Sequence, residues 1–243
     1  MRYLVIGGGG YAQEVAWSLR TALDARGADG EICFFDDRLP LGPVRSGLGE
    51  IVGGLDQVGA HAAAAPACLV LGVGLPRTKA AVVARLAAVP LPWTTVVHPA
   101  ATIGPGAVIG EGSYIGAGAI VTVNVTIGRF ATVNLHCQVA HEDVLGDFVT
   151  LHPDVHLSGD VIIAEGCELG TGAVVTPGVR VGPWAVLGAG TVAVRSLPGG
   201  HVYVGMPARM LARRPASNAG TVADDRRHAA VAAVTPIRSP STY

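Results

Sequence analysis

Residues 115–139 read IGAGAIVTVNVTIGRFATVNLHCQV, and within them Ile115, Val121, Ile127, Val133 and Val139 stand at strict six-residue intervals. The series continues both ways without a gap. Val97, Ile103 and Ile109 precede it, and Leu145, Leu151, Leu157, Ile163, Leu169, Val175, Val181 and Leu187 follow. A helix turns every 3.6 residues, so a period of six would walk these side chains around the cylinder instead of holding them on one side. The period is that of a solenoid. Short β segments, three hexads to a turn with Gly and Pro at the bends, place residues eighteen apart above one another and bury each aliphatic side chain against the next rung. All sixteen residues are therefore expected in the core. A second register runs four residues behind the first, with small or β-branched residues such as Ala101, Ala107, Ser113, Ala119, Val125 and Ala131, and Asp143 breaks it.

The rest of the composition excludes several classes. A formal charge of −1 over 243 residues offers no electrostatic footprint for nucleic acid or an anionic bilayer. No apolar run approaches the roughly eighteen residues of a membrane span, and the amino terminus enters a strand without a cleavable signal pattern. The expected location is cytoplasmic. Cys33, Cys68, Cys137 and Cys167 lack CxxC spacing, and two of them fall in the inward second register, so buried reduced thiols are expected.

The first ninety-five residues alternate apolar strands with amphipathic helices. Tyr3–Ile6 reads as a strand, residues 7–10 are all glycine, and a helix follows over about 11–23. A second strand over 31–35 ends in Asp36 and Asp37, a third spans 68–73, and Pro76 opens a helix over 77–88. This is a βαβ pattern of the Rossmann type. Gly7, Gly9 and Ala12 satisfy G-x-G-x-x-A, where backbone amides and a helix amino terminus can hold phosphate, and the acidic strand end completes a dinucleotide fingerprint. Three readings stay open: NAD, another nucleotide, or glycines that only permit a tight turn. The absence of a second α/β substrate domain weighs against NAD.

Four of the eight histidines, His136, His141, His152 and His156, lie in one short window. No two are eighteen apart, so they form no vertical metal ladder within one subunit. A zinc site shared between subunits, in the manner of gamma-class carbonic anhydrases, would draw on His136, His141 and His98, although a simple turn explains His98. The other use of a single imidazole is proton transfer. His141 is the candidate, because Glu142 follows it and could fix its tautomer and stabilise the imidazolium. Adjacent side chains on a flat strand point to opposite faces, so the pair meets only if the chain bends there.

Taken together, Val5-Ile6 with the glycines at 7–10, Phe34-Phe35-Asp36-Asp37, the run from Val139 through His141-Glu142-Asp143 to Phe148, and Val204-Gly205-Met206-Pro207-Ala208 resemble a family. It is that of the two-domain, left-handed parallel β-helix (hexapeptide-repeat) acyltransferases that acetylate nucleotide-linked amino sugars, with the sialic acid O-acetyltransferases as close relatives. The resemblance covers about residues 1–212. It implies an α/β Rossmann-like nucleotide-sugar domain over 1–95, an all-β left-handed β-helix over 96–212, and a tail over 213–243 that is expected to be disordered or loosely docked, with a short helix conceivable near His228–Val234. It also implies acetyl-CoA as co-substrate, no metal, and a homotrimer with acetyl-CoA between neighbouring coils. Gly9, Gly10, Tyr11, Asp36, Asp37 and Gly74 would meet the sugar nucleotide. His141 would be the general base, Glu142 its partner and Gly159 the oxyanion donor. Thr150, Thr171 and Ala189 would contact the cofactor, and Arg209, Arg213 and Arg214 are either solvated or turned to its phosphates. Tyr11 and Thr150 stand where members using UDP sugars usually carry His. The expected reaction is acetyl transfer to the amine of a nucleotide-linked 4-amino-deoxy sugar. O-acetylation, a gamma-type zinc enzyme and a non-catalytic solenoid are the alternatives.

Overall fold

β1 (Arg2–Ile6) is apolar along its second half, and Leu4, Val5 and Ile6 are fully buried within a five-stranded sheet. The computed structural model describes residues 1–213, with the backbone alone at 62–64 and 213. Arg214, the rest of the expected tail and the conceivable helix at His228–Val234 lie outside the described residues. After β1 come α1 (Gly10–Asp24), β2 (Glu31–Phe35), β3 (Gly42–Pro43), β4 (Glu50–Gly53), α2 (Val58–Ala64), β5 (Ala67–Leu71) and α3 (Pro76–Arg85). The sheet order is β3-β4-β2-β1-β5; β1 runs parallel to β2 and β5, β4 parallel to β2, and β3 antiparallel to β4. Ala12, Val15, Ala16, Leu19 and Leu23 recur at three- and four-residue steps along α1 and are buried, which is why this segment is helical and lies on the sheet. Pro76 occupies the first turn of α3, where its missing N–H costs nothing. The short edge pieces β3, β4 and α2 carry too little periodic signal to be anticipated.

From Val96 onward two-residue parallel strands recur every six residues and wrap three faces. The first face stacks Val96–Val97, Tyr114–Ile115, Thr132–Val133, Thr150–Leu151, Glu168–Leu169 and Val186–Leu187. The second runs from Thr102–Ile103 through Gln138–Val139 to Val192–Ala193, and the third from Val108–Ile109 through Val144–Leu145 to Arg180–Val181. Every register is offset by eighteen, as the hexads predict. Ile115 through Leu187 of the aliphatic series are at most 2% exposed. Ile103 departs from the expectation, at 39% exposure. Its strand is the end member of its face and pairs on one side only, so no rung lies beneath it. The opposite end closes with an antiparallel pair, His201–Val204 against Arg209–Arg213, around the exposed Met206 and the buried Ala208.

The α/β elements pack on the first face. Ser18 Oγ meets Tyr114 Oη at 3.0 Å, Tyr11 Oη meets Thr132 Oγ1 at 3.1 Å, and Arg77 lies 5.1 Å above the Trp184 ring.

Candidate active site

Each corner of the solenoid is a four-residue turn, and residues 140–143 form the corner between the second and third faces. That is the corner opposite the face on which the α/β elements pack. Glu142 has φ +60°, the left-handed region that few residues other than glycine enter without cost. This is the bend that sequence could not reveal. It folds the Glu142 carboxylate back onto its neighbour, so His141 Nδ1 lies 3.0 Å from Glu142 Oε2. Both side chains are about 60% exposed, His141 at 59% and Glu142 at 60%. With the carboxylate at Nδ1, the proton of a neutral imidazole belongs there and Nε2 carries the free lone pair. Gly159 lies one coil on, with φ +99°; a Cβ there would come within 2.8 Å of His141 Cε1 and Nε2. The stacking leaves room for hydrogen alone. The Asp160 N–H donates to His141 O at 3.0 Å and ties the two turns.

On the α/β elements, Gly9 and Gly10 open α1 with free space where a Cβ would stand. Asp36 holds that loop: Oδ2 accepts from the Gly8 N–H at 2.8 Å, and Oδ1 accepts from Arg38 and Leu39 N–H at 2.9 and 3.1 Å. Asp37 pairs with Arg85 and accepts from the Leu55 N–H at 2.9 Å. Burial pushes its carboxyl up, but the Leu55 and Arg85 bonds outweigh it and hold it below the usual carboxylate range. Both acidic side chains thus have partners within the chain, and they shape the loop. Tyr11 turns its ring toward Gly74, 3.6 Å from a Cβ there, and spends its hydroxyl on Thr132; burial pushes its phenol up.

The three expected cofactor positions are not together. Thr171 and Ala189 stack on the corner between the first and second faces, joined by the Gly190 N–H to Thr171 O at 2.9 Å. Thr150 is 1% exposed and donates its hydroxyl to Gly74 O at 2.6 Å, so its side chain belongs to the seam with the α/β elements. That seam also holds residues the sequence reading missed. Lys79 is fully buried, with Nζ 3.0 Å from Val149 O and 3.3 Å from Thr132 Oγ1. Burial drives its amine well below the ordinary lysine range, opposed by nearby Glu168. A lysine on an amphipathic helix normally reads as solvated. The signal available was on the coil, where Thr132, Thr150 and Glu168 form a polar column at eighteen-residue spacing.

Of the remaining histidines, His152 Nε2 meets Glu168 Oε1 at 3.1 Å, and the His98 ring lies 4.9 Å from that of Trp17 with Nδ1 accepting the Ala100 N–H at 3.0 Å. His136 is exposed at the corner between the first and second faces. Among the described residues no three His, Cys, Asp or Glu side chains converge on a point that could hold a metal. All four cysteines are free and buried, and burial pushes Cys137 and Cys167 up to about 12. No helix of the described residues is long and apolar enough to cross a membrane.

No family model matches the chain. It is similar to the GDP-perosamine N-acetyltransferase of Escherichia coli O157:H7, 30% identical over 129 residues that span 51% of the chain and 58% of that relative's length. Among solved structures it resembles the acetyltransferase domain of PglB from Neisseria gonorrhoeae FA1090, with TM-score 0.79 and 32% identity over 86% of the chain and 99% of that domain. PerB from Caulobacter crescentus, solved with CoA and GDP-perosamine, superposes with TM-score 0.77 at 29% identity, over 86% of the chain and 97% of PerB. On this identity, carried across nearly the whole of a solved acetyltransferase domain, the chain belongs to the nucleotide-sugar acetyltransferases with a left-handed β-helix-like solenoid.

Proposed function

We propose that the protein moves the acetyl group of acetyl-CoA onto the amine of a nucleotide-linked 4-amino-deoxy sugar, in the cytoplasm, by direct transfer within a ternary complex. The observation that carries this reading is the exposed His141–Glu142 pair, 3.0 Å apart and stacked on Gly159. Similar proteins named for N-acetylation of GDP-perosamine, and solved with CoA and that amino sugar, supply the substrate class.

In the mechanism the neutral amine attacks the thioester carbon. His141 Nε2 takes the proton the amine sheds, and the CoA thiolate leaves. Glu142 keeps Nδ1 protonated and stabilises the imidazolium as it forms. A well-placed base of this kind contributes a factor on the order of 10² to 10⁴. The Gly159 N–H is the proposed donor to the oxyanion of the tetrahedral intermediate, a contact worth about 3 kcal/mol. Two binding sites that hold both reactants lower the entropic part of the barrier.

His141 stands across the coil from the face that bears the α/β elements, and Thr171 and Ala189 stand on a different corner. A homotrimer resolves this separation, because a neighbouring coil can bring its cofactor corner or its α/β elements against His141. The first ninety-five residues are then a Rossmann-like unit holding the sugar nucleotide through Gly9, Gly10, Tyr11 and Gly74, with Asp36 and Asp37 shaping the pocket. Thr171 and Ala189 line the CoA groove, and Thr150 supports it from the seam.

The test is turnover of acetyl-CoA with GDP-, UDP- and dTDP-linked 4-amino sugars and their hydroxyl counterparts, with product mass as readout. Acetylated amine is the expected result. Turnover of hydroxyl sugars alone would overturn the amine assignment, and turnover of none would overturn the function. Sedimentation tests the trimer.

A further inference from the structure

Asp143 is the one charged residue in the inward second register, and its side chain points into the prism with no exposure. Val125 below it and Val161 above it occupy the same register and are fully buried. A carboxylate among stacked valines is costly unless its oxygens are satisfied. Here they are, by two different rungs. Oδ2 accepts the Ala140 N–H at 2.8 Å, and Oδ1 accepts the Val161 N–H at 2.9 Å. The Asp143 N–H completes the first turn by donating to Ala140 O at 3.3 Å.

The neighbouring rungs do without this arrangement. At the position of Ala140, Thr122 below and Ser158 above donate their N–H groups along the ladder, to Val139 O at 2.9 Å and Val175 O at 3.1 Å. The Ala140 N–H is turned instead onto the buried carboxylate. Ser113 shows what a neutral group of this register does: its hydroxyl accepts the Ala131 N–H at 3.0 Å and donates to Gly128 O at 2.9 Å. A neutral hydroxyl therefore suffices to tie one rung to the next. What the carboxylate adds is a second tie, to residue 140, and the two turns it joins are 140–143 and 158–161. The first carries His141 and Glu142, and the second carries Gly159.

From this placement we infer that Asp143 is a positioning residue for acetyl transfer, which holds the His141–Glu142 turn and the Gly159 turn in fixed register from inside the coil. The inference rests on the proposed function above. A left-handed residue stands at this position of the other corners too, as at Asn124, Phe130 and Phe148, so the conformation of Glu142 belongs to the coil; what is particular to this corner is that the turn brings the Glu142 carboxylate to His141 Nδ1 while Asp143 ties it to the next rung. Burial raises the Asp143 carboxyl to about 6, opposed by the Val161 and Ala140 N–H groups and, to a smaller extent, by His141 and the Gly159 N–H. The N–H groups that oppose this rise belong to the same two turns that the carboxyl joins.

Asp143→Val copies the neighbouring rungs and is the direct test. With the full chain, acetyl-CoA and the amino-sugar nucleotide that the wild type uses, kcat should fall between about tenfold and a hundredfold, the scale of a small misplacement of a reacting group. KM for both substrates should stay within about twofold. Asp143→Ser, which keeps the tie to Val161 as Ser113 keeps its own to Ala131, should recover part of the loss. The second readout is independent of turnover: the imidazole nitrogen signals of His141 by NMR should report a weakened Nδ1–Glu142 bond in Asp143→Val, which a mere change in coil stability would not produce. Wild-type protein that acetylates no amino sugar would sink the function and leave the imidazole signals to decide the positioning role. Unchanged kcat together with unchanged His141 signals in Asp143→Val would overturn the inference, and if that variant does not fold, the same two measurements on Asp143→Ser decide it.

Discussion

Two sets of polar side chains on the solenoid have opposite fates. On the first face Thr132, Thr150 and Glu168 are buried with Lys79 of α3 against them, and their hydrogen-bonding groups meet one another, Tyr11, Gly74, Val149 and His152. On the far corner His141 and Glu142 are exposed and engage only each other through their facing atoms, which leaves Nε2 on the open side. The buried set stands on two-residue strands and a facing helix, the exposed pair on a corner turn. A buried, satisfied network rigidifies a seam, whereas an exposed and oriented imidazole has a lone pair available for chemistry.

Four measurements test that contrast, beginning with the largest effect. Replacing His141 by Ala should lower kcat by two to three orders of magnitude, on the order expected for a general base, while CoA binding and thermal stability stay near wild type; a variant of unchanged rate would move the chemistry off this corner.

The next effect is on stability and concerns Asp143. Burial pushes its native carboxyl up to about 6, outweighing its hydrogen bonds and the nearby His141. The native state therefore binds this proton more tightly than the unfolded chain does, and the contribution to stability is greatest below about pH 4 and is lost as pH rises through 6. A shift of about two pH units corresponds to roughly 3 kcal/mol. The unfolding free energy of wild type relative to Asp143→Val should fall by an amount of that order between pH 4 and pH 7; a flat difference would mean that the carboxyl titrates normally.

Gly159→Ala comes third. The added methyl meets the imidazole at 2.8 Å in a left-handed backbone, and strain of about 1–2 kcal/mol with displacement of His141 should cost turnover about tenfold. The smallest change belongs to the seam. Ser18→Ala removes the partner of Tyr114 Oη and should lower stability by about 1 kcal/mol, with kcat nearly unchanged. A large kcat loss there would mean that seam and corner are not separable.

Much of this molecule was legible before any coordinates. The hexad series determined the three-faced coil, and arithmetic on eighteen-residue spacing put Gly159 against His141 and singled out Asp143 as the residue that does not fit. The same arithmetic overreached at Ile103, because a period reports which side chains face inward and says nothing about where the stack begins. Nor does the period show that the Thr150 hydroxyl is given to Gly74 in the seam with the α/β elements.

What the tertiary structure alone decided was the left-handed turn at Glu142 that joins it to His141, the burial of Lys79, and the corner on which the imidazole stands relative to the α/β elements. The division has a physical cause. A solenoid is built from contacts between residues a fixed, short distance apart in sequence, so its pattern is written locally and repeats. A seam between two units depends on partners as remote as Lys79 and Val149 and leaves no period to read; the left-handed corner does recur every six residues from Gly106 to Gly190, but which side chains it brings together at His141 and Glu142 depends on the fold of that one turn.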